Sequence, residues 1–359
     1  MADPSILSEC ARLAAGGGAG ALATVAVRRG SLPMSATAKM LVTTRGARHG
    51  TVGGGCLEAE ISERALEVAA ARMPAISHHT LNSELAGDYG LTCGGTAVMF
   101  IEPVYEDETL VQVYSAAVSI LSKGVRAAVV TSVNWNDGVQ KAVFADGEVI
   151  GKSSRAMSDA AVSLDPHAEL PLLSGQILAE PLVGKPRLVV FGGGHVGARV
   201  ADAAAFAGWR VTVVDDRPDF ADPTRHPKAE ATVTCDYHDL PPTLAIDADT
   251  YVVVATRGHQ HDAVVVEQLA RLDTRYLGML GSRRKVALTW KLLEERGISR
   301  ARLDQVHAPV GLSIGADTPE EIAISVVAEL IATRRSGSRR RGGIDLRESL
   351  PSKMNENCV

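Results

Sequence analysis

The chain has 359 residues, of which 46% are hydrophobic, 22% are charged and 4% are aromatic, and its formal net charge is −5. This balance is that of a globular protein of two or three domains, and the negative charge argues against a general nucleic-acid binder. No apolar run reaches the length of a membrane-spanning helix, and the glycine-interrupted run near the N-terminus is a poor signal peptide, so we expect a cytoplasmic protein with no membrane span.

The first region, residues 1–184, mixes strand and helix patterns and is interpreted as a separate α+β domain. Its predicted elements are strands at 21–27 and 38–44, a helix with its apolar face at Leu57, Ile61, Ala65 and Val68, a strand within 89–104, and a helix at 109–122. Asp137-Gly138 and Asp146-Gly147 predict turns in a hairpin-rich extension, and residues 165–175 are suggested as a linker region.

Two glycine-flanked cysteines are the unusual feature of this region. Gly53, Gly54 and Gly55 directly precede Cys56 at the start of the predicted helix, and Cys93 lies in GLTCGG. A thiol at a helix N-terminus has its thiolate stabilised by the helix dipole and amide groups. Two such thiols suit a soft metal or sulfur transfer, whereas the alternative is two small buried residues at tight turns. The chain's five cysteines include no Cys-x-x-Cys pair, so neither a disulfide framework nor a structural zinc site is expected.

The second region, residues 185–335, alternates short apolar strands with helical patterns. This alternation is typical of a doubly wound parallel sheet of the Rossmann-like type. Its last helix has a strong start signal, because Thr318, Pro319 and Glu321 form the pattern of a capping box. The remaining tail, residues 336–359, shows no periodicity and is expected to be disordered.

The second region opens on a glycine motif. Gly192, Gly194 and Gly197 follow the strand VVF, with His195 inside the loop, and Asp215 ends the next strand about 20 residues later. Glycines at this spacing allow a tight turn and close approach to a phosphate, while the acid can accept a hydrogen bond from a ribose hydroxyl. The motif predicts nucleotide or pterin-nucleotide binding. The alternative is a Rossmann-like fold that binds no nucleotide.

Two further loops are expected at the same edge of the sheet, because parallel strands all present their carboxyl ends there. One loop, TRGHQHD, contains His259, which together with His261 and Asp262 suits ligand contact or helix capping better than a metal site. The other places five candidate phosphate-binding residues at a helix start: Gly281, Ser282, Arg283, Arg284 and Lys285. Cations at a helix N-terminus oppose the helix dipole, so their position favours a bound anion over a solvated basic turn.

Several of these segments together resemble the xanthine dehydrogenase accessory family of the XdhC/CoxI type. The resemblance is carried, in order, by GTVGGGCLEAEI, YGLTCGGT, VVFGGGHVG, VDDRPDFAD, YLGMLGSRRK and APVGLSIGADTPEEIAISVVAEL. It covers most of the chain except residues 105–183 and the tail. It implies an N-terminal domain that carries the glycine–cysteine motif, followed by a Rossmann domain.

The resemblance also implies a function. Family members assist the maturation of molybdenum hydroxylases by binding molybdenum cofactor, helping its sulfuration and delivering it to the apo-enzyme. The resemblance makes Cys56 and Cys93 candidates for cofactor or sulfur chemistry, without assigning their roles. It makes Gly192, Gly194, Gly197 and Asp215 candidates for a nucleotide or pterin site. The expected partners are an apo molybdenum hydroxylase and a cysteine desulfurase, and we expect a homo-oligomer. Two rivals are an NAD(P)-dependent oxidoreductase and a scaffold that recruits these partners without holding the cofactor.

Overall fold

Three five-stranded sheets organise the part of the chain that the computed structural model describes, which comprises residues 4–30, 32, 34–81, 95–165, 168 and 170–335. The chain divides into two compact units on either side of the Gly184–Lys185 bond. Two antiparallel sheets lie in the N-terminal unit, and one parallel sheet lies in the C-terminal unit. Cys93 and the tail from 336 to 359 lie outside the described residues.

The first antiparallel sheet has the strand order β3-β2-β1-β5-β4. Its strands are β1 (Gly20–Gly30), β2 (Lys39–Thr43), β3 (Arg48–Gly50), β4 (Ala75–Leu81) and β5 (Gly95–Val104). The accompanying helices are α1 (Pro4–Arg12), which continues into a π-helical turn at Leu13–Gly17, and α2 (Gly55–Ala71). The predicted apolar face of α2 is confirmed, since Leu57, Ile61, Ala65 and Val68 are all buried in one core with β1 and β5. Strand β1 runs three residues beyond its predicted end because a bulge between Val25 and Val27 keeps it paired with β5.

The second antiparallel sheet has the order β8-β7-β6-β10-β9 and is built from the predicted hairpin-rich extension. Its strands are β6 (Ala127–Ser132), β7 (Lys141–Ala145), β8 (Glu148–Gly151), β9 (Leu172–Ser174) and β10 (Ile177–Leu182), with helices α3 (Glu108–Lys123) and α4 (Arg155–Ser163). Asp146 and Gly147 both have positive φ and form the two-residue turn between β7 and β8, as predicted. Strand β9 lies within the stretch that the sequence suggested as a linker.

The C-terminal sheet is entirely parallel, with the order β13-β12-β11-β14-β15, which confirms the Rossmann-like prediction. Its strands are β11 (Arg187–Phe191), β12 (Arg210–Asp215), β13 (Ala231–Thr234), β14 (Tyr251–Val254) and β15 (Tyr276–Met279). Its helices are α5 (His195–Phe206), α6 (His259–Leu269), α7 (Arg283–Glu295), α8 (Arg300–Leu303) and α9 (Pro319–Arg335), with 3-10 turns at Pro218–Phe220 and Pro242–Leu244. The capping box of α9 is confirmed by reciprocal bonds between Thr318 and Glu321.

Strand order marks one edge of this sheet as the candidate position for a ligand. The chain leaves the central strand β11 toward β12 on one side and later returns to β14 on the other. Such a reversal opens a crevice at the carboxyl ends of the strands, where open α/β sheets bind ligands. Among the helices that the structure describes, none combines the length and apolar composition needed to cross a bilayer.

Candidate functional site

Three glycines of the loop after β11 leave no room for a Cβ. At Gly193 it would lie 2.0 Å from the Phe220 carbonyl oxygen. Gly192 has a φ of +108°, and a Cβ there would lie 2.2 Å from the Ala255 carbonyl oxygen after β14. A Cβ on Gly197 would lie 1.7 Å from the Gly192 oxygen. Gly194 differs, because a Cβ there would meet no atom within 4 Å. Gly192, Gly193 and Gly197 therefore serve close backbone packing around the loop, and the open space at Gly194 is available to a ligand.

Amide groups at the start of α5 face this open space. Gly194 is the N-cap of α5, and no side chain caps the helix. The first N–H groups of a helix have no partner within it, and together with the helix dipole they favour a bound anion. His195, the first residue of α5, is exposed. The structure thus places a helix N-terminus without a side-chain cap at the position where the motif predicts a bound phosphate.

Asp215 at the end of β12 directs its carboxylate into the protein. It is 1% exposed and accepts hydrogen bonds from the N–H groups of Gly193 at 2.8 Å and Arg217 at 3.0 Å. The Arg217 guanidinium adds bonds of 2.9 and 3.1 Å. Burial raises the pKa of Asp215, but the bonds from Arg217 and from the two backbone groups outweigh this effect and hold it below its ordinary value. In this structure, Asp215 orders the glycine loop.

The neighbouring Asp216 lies at the same edge, 3.8 Å from the Arg217 Nε through its Oδ1, and sequence reasoning missed it. Its Oδ2 accepts a hydrogen bond from Arg257 at 2.6 Å, whereas its buried Oδ1 has no hydrogen-bond partner among the described residues. The signal was present in the sequence as the pair of acids that ends VTVVDD. Either acid satisfied the motif, and only the structure shows that Asp215 is already occupied.

The bonds of Asp215 lead to a prediction about pH. We expect Asp215→Asn to lower the free energy of unfolding by about 2 kcal/mol at pH 7, because it weakens charge-assisted hydrogen bonds in a buried place. Since the folded pKa of Asp215 lies below its unfolded value, this stabilisation is present above about pH 4. It is lost as pH falls through the folded pKa.

Urea unfolding of wild type and of Asp215→Asn at pH 7 and at pH 3 measures the difference between their free energies of unfolding. Asp216→Asn is the matched control, and we expect a change of less than about 1 kcal/mol because its partner Arg257 is 47% exposed and the ion pair is screened by solvent. A difference between wild type and Asp215→Asn that grows toward pH 3 would contradict the assignment.

The loop after β14 is joined to the loop after β15 by an ion pair whose carboxylate is fully buried and whose lysine is 26% exposed. Asp262 in the first turn of α6 is fully buried and accepts hydrogen bonds from the Thr256 N–H at 3.1 Å and hydroxyl at 2.6 Å. Its other oxygen pairs with the Nζ of Lys285. Lys285 also donates to the Leu280 carbonyl at 3.1 Å. His259 begins α6 as an exposed residue, and no side chain caps this helix, so the predicted capping role is not seen.

The predicted basic cluster therefore has two parts with different surroundings. Ser282 is the N-cap of α7 and accepts a bond from the Lys285 N–H at 3.2 Å, and a Cβ on Gly281 would touch the Lys285 side chain. Lys285 is committed to Asp262, whereas Arg283 and Arg284 are exposed and form no ion pair within the described ranges. The two arginines remain available to an anion at the start of α7. The carboxyl edge of the sheet thus brings the glycine loop and both neighbouring loops together.

The glycine–cysteine motif lies in the other unit. Gly53, Gly54 and Gly55 have φ values of +125°, +83° and +67°, a run of left-handed conformations that favours glycine. Helix α2 begins at Gly55 without a side-chain cap, and Cys56 is its second residue, although the position of the cysteine side chain is not described. Glu58 accepts a bond from the Thr51 hydroxyl at 3.0 Å, which places a carboxylate beside this turn. The predicted roles of Cys56 and Cys93 stay predictions.

Metal-binding geometry is absent from the described part of the chain. No three histidine, cysteine, aspartate or glutamate side chains there come together in a group that could hold a metal ion.

Known proteins provide an independent comparison. Residues 188–330 match the model of the XdhC Rossmann domain, and residues 13–80 match the model of the XdhC and CoxI family. A crystal structure of a xanthine dehydrogenase from Bacillus halodurans superimposes with a TM-score of 0.73 at 26% identity, covering 98% of this chain and 100% of that one.

Three curated proteins are similar in sequence. The uncharacterized protein YqeB of Escherichia coli (strain K12) is 27% identical over 349 residues, 97% of this chain, which spans 49% of that protein's length. A probable xanthine dehydrogenase subunit of Bacillus subtilis (strain 168) is 28% identical over 88% of this chain and 93% of its own length. The molybdenum cofactor insertion chaperone PaoD of Escherichia coli (strain K12) is 35% identical over 27% of this chain and 31% of its own length.

Proposed function

Because the chain belongs to the XdhC and CoxI family, we propose that it binds molybdenum cofactor as cargo and assists its insertion into a molybdenum hydroxylase of the xanthine dehydrogenase type. The names of two relatives, a molybdenum cofactor insertion chaperone and a probable xanthine dehydrogenase subunit, support this role. We propose an accessory protein that hands over its ligand, and not an enzyme that turns over a substrate.

One observation from the structure supports the proposal above the others. The carboxyl edge of the parallel sheet combines the uncapped start of α5 with two exposed arginines, Arg283 and Arg284, that pair with no described carboxylate. The cargo is an anionic pterin phosphate, and helix amides and guanidinium groups are the donors that bind phosphate. The open side of Gly194 leaves room for the close approach that such a group requires.

We further propose that the thiols of Cys56 and Cys93 handle the cofactor's sulfur, with a cysteine desulfurase as sulfur donor and an apo-hydroxylase as recipient. The uncapped α2 N-terminus beside Cys56 supports a stabilised thiolate there. The carboxylate of Glu58 in the same turn opposes it. The thiols therefore need a direct test that is separate from cofactor binding.

Titration with purified molybdenum cofactor, followed by activation of an apo-hydroxylase, tests the proposal. We expect saturable binding by wild type and at least about tenfold weaker binding by Arg283→Ala/Arg284→Ala, because two charge-assisted contacts are lost. We expect Cys56→Ala/Cys93→Ala to deliver less sulfurated cofactor. Absence of saturable binding by folded wild type contradicts the cargo proposal, and undiminished transfer by the cysteine variant contradicts the thiol proposal alone.

A dinucleotide is the second candidate ligand, favoured by Asp216 directly after β12, whose Oδ1 forms no hydrogen bond with a described residue and lies 3.8 Å from the Arg217 Nε. This oxygen stands where a Rossmann domain presents an acid to a ribose. Parallel titrations with NAD and NADP separate the two candidates. Tight NAD binding accompanied by turnover would favour an oxidoreductase over a cofactor carrier.

A further inference from the structure

A cavity of about 50 Å³ lies between the two antiparallel sheets of the N-terminal unit. We call it the inter-sheet cavity. Its walls come from β1, β2 and β5 of one sheet and from β6, β7 and β10 of the other, with α3 closing one side. Most of the lining is apolar, and the polar side chains include Lys39, Glu102, Tyr114, Lys141 and Glu180. None of these residues belongs to the site described above.

Two ion pairs cross the cavity from sheet to sheet. Lys141 on β7 donates to both carboxylate oxygens of Glu102 on β5 at 2.8 Å and to Thr131, and both charged side chains are 2% exposed. Lys39 on β2 pairs with Glu180 on β10, and these side chains are 10% and 12% exposed. The first pair therefore forms the buried end of the cavity, and the second lies nearer to solvent. Together the four charges sum to zero.

Hydrogen-bonding capacity in the cavity is left over after these pairs form. The Tyr114 hydroxyl is buried beside the Glu102 carboxylate, with which it forms no hydrogen bond of standard geometry, and no other described residue bonds to it. Lys39 uses two of its three donors, on Glu180 and on Thr24 at 2.8 Å, and no described residue donates to the second oxygen of Glu180. An unpartnered buried polar group costs about 1–3 kcal/mol, so a ligand that bonds to Tyr114 would stabilise the site. Burial and the nearby Glu102 raise the pKa of Tyr114 well above its ordinary value, which keeps the phenol protonated and able to donate.

The volume of the inter-sheet cavity and the net charge of its walls limit which ligands can bind there. A volume of this size holds roughly three to five water-sized centres, far fewer than the atoms of a pterin or nucleotide. A ligand with net charge would leave that charge uncompensated among walls that already sum to zero. A neutral solute with an acceptor at one end and a donor at the other meets both requirements. Its acceptor end suits Tyr114 and Lys39, and its donor end suits Glu180.

We propose that the inter-sheet cavity is a binding site for a small amino-acid-like zwitterion of about five heavy atoms. Its carboxylate accepts from Tyr114 and Lys39, and its ammonium group donates to Glu180. This site is separate from the cofactor site, and the proposal does not depend on the identity of the cargo. The N-terminal unit would thus bind a ligand different from the one proposed for the C-terminal unit.

Ligand-observed NMR with glycine as the probe, on the full chain, tests the proposal. We expect saturable binding of glycine and at least about tenfold weaker binding of acetate and methylammonium, each of which carries only one of the two charged ends. Tyr114→Phe should weaken glycine binding about fivefold because it removes one hydrogen bond. Glu180→Gln should weaken it at least about tenfold because it removes a charged acceptor.

Two controls separate binding from folding. Tyr114→Phe removes a hydroxyl that forms no standard hydrogen bond with a described residue, so without glycine it should be at least as stable as wild type. Tyr105→Phe changes a tyrosine of the same unit that does not line the cavity and should leave glycine affinity unchanged. The proposal is overturned if glycine does not saturate, if acetate binds as well as glycine, or if Tyr114→Phe binds glycine like wild type.

Discussion

Gly197→Ala is expected to lower the free energy of unfolding by at least about 3 kcal/mol and to abolish cofactor binding. The added methyl group would lie 1.7 Å from the backbone oxygen of Gly192, a contact that no side-chain rotation relieves. Relief requires the start of α5 to move away from the end of β11, which displaces the amide groups proposed to bind phosphate. Urea denaturation and cofactor titration of the same preparation measure both effects.

Gly194→Ala is the matched control within the same loop. Its Cβ would meet no protein atom within 4 Å, and its φ of −72° is accessible to alanine, so we expect stability within about 0.5 kcal/mol of wild type. If the cargo approaches the loop there, binding weakens although the fold is unchanged. Equal destabilisation by both alanine variants would contradict the division of this loop into packing and ligand positions.

Lys285→Met is expected to destabilise the C-terminal unit by about 3–5 kcal/mol, because it leaves the fully buried carboxylate of Asp262 without its cation. Asp262 also holds Thr256, so the loop after β14 should loosen together with the start of α7. Adding Asp262→Asn to Lys285→Met should restore part of the stability, and the double-mutant cycle measures the coupling. Urea denaturation of the four proteins provides the required free energies.

Arg284→Met is the matched control for Lys285→Met. The arginine is exposed and forms no ion pair with a described residue, so its loss should change stability by less than about 0.5 kcal/mol. It should weaken cofactor binding, because the proposed contact is to the ligand. If Lys285→Met is as stable as wild type but does not bind cofactor, Lys285 acts on the phosphate directly, as the sequence alone suggested.

Much of the C-terminal unit was predictable because its signals are local. Short apolar strands separated by helical patterns, a glycine motif after the first strand and the capping box of Thr318 and Glu321 each depend on neighbouring residues. The N-terminal unit was harder to predict. Strands β3 and β9 have only three residues each, too few for a periodic pattern, and the pairing of β9 with β10 came from a stretch suggested as a linker.

The candidate site also has features that the sequence predicted and features that only the structure shows. The sequence by itself determined that glycines, helix N-termini and basic residues follow strands of the parallel sheet. Because parallel strands present their carboxyl ends at one edge, the order along the chain is enough to place these residues there. Only the tertiary structure decided which of these residues remain available. Asp215 is bound to the Gly193 N–H and Lys285 is paired with Asp262, whereas Arg284 forms no ion pair with a described residue. The residue type determines which ligands a side chain can bind. Its partners come from distant parts of the chain, and burial makes those partnerships strong enough to exclude a ligand.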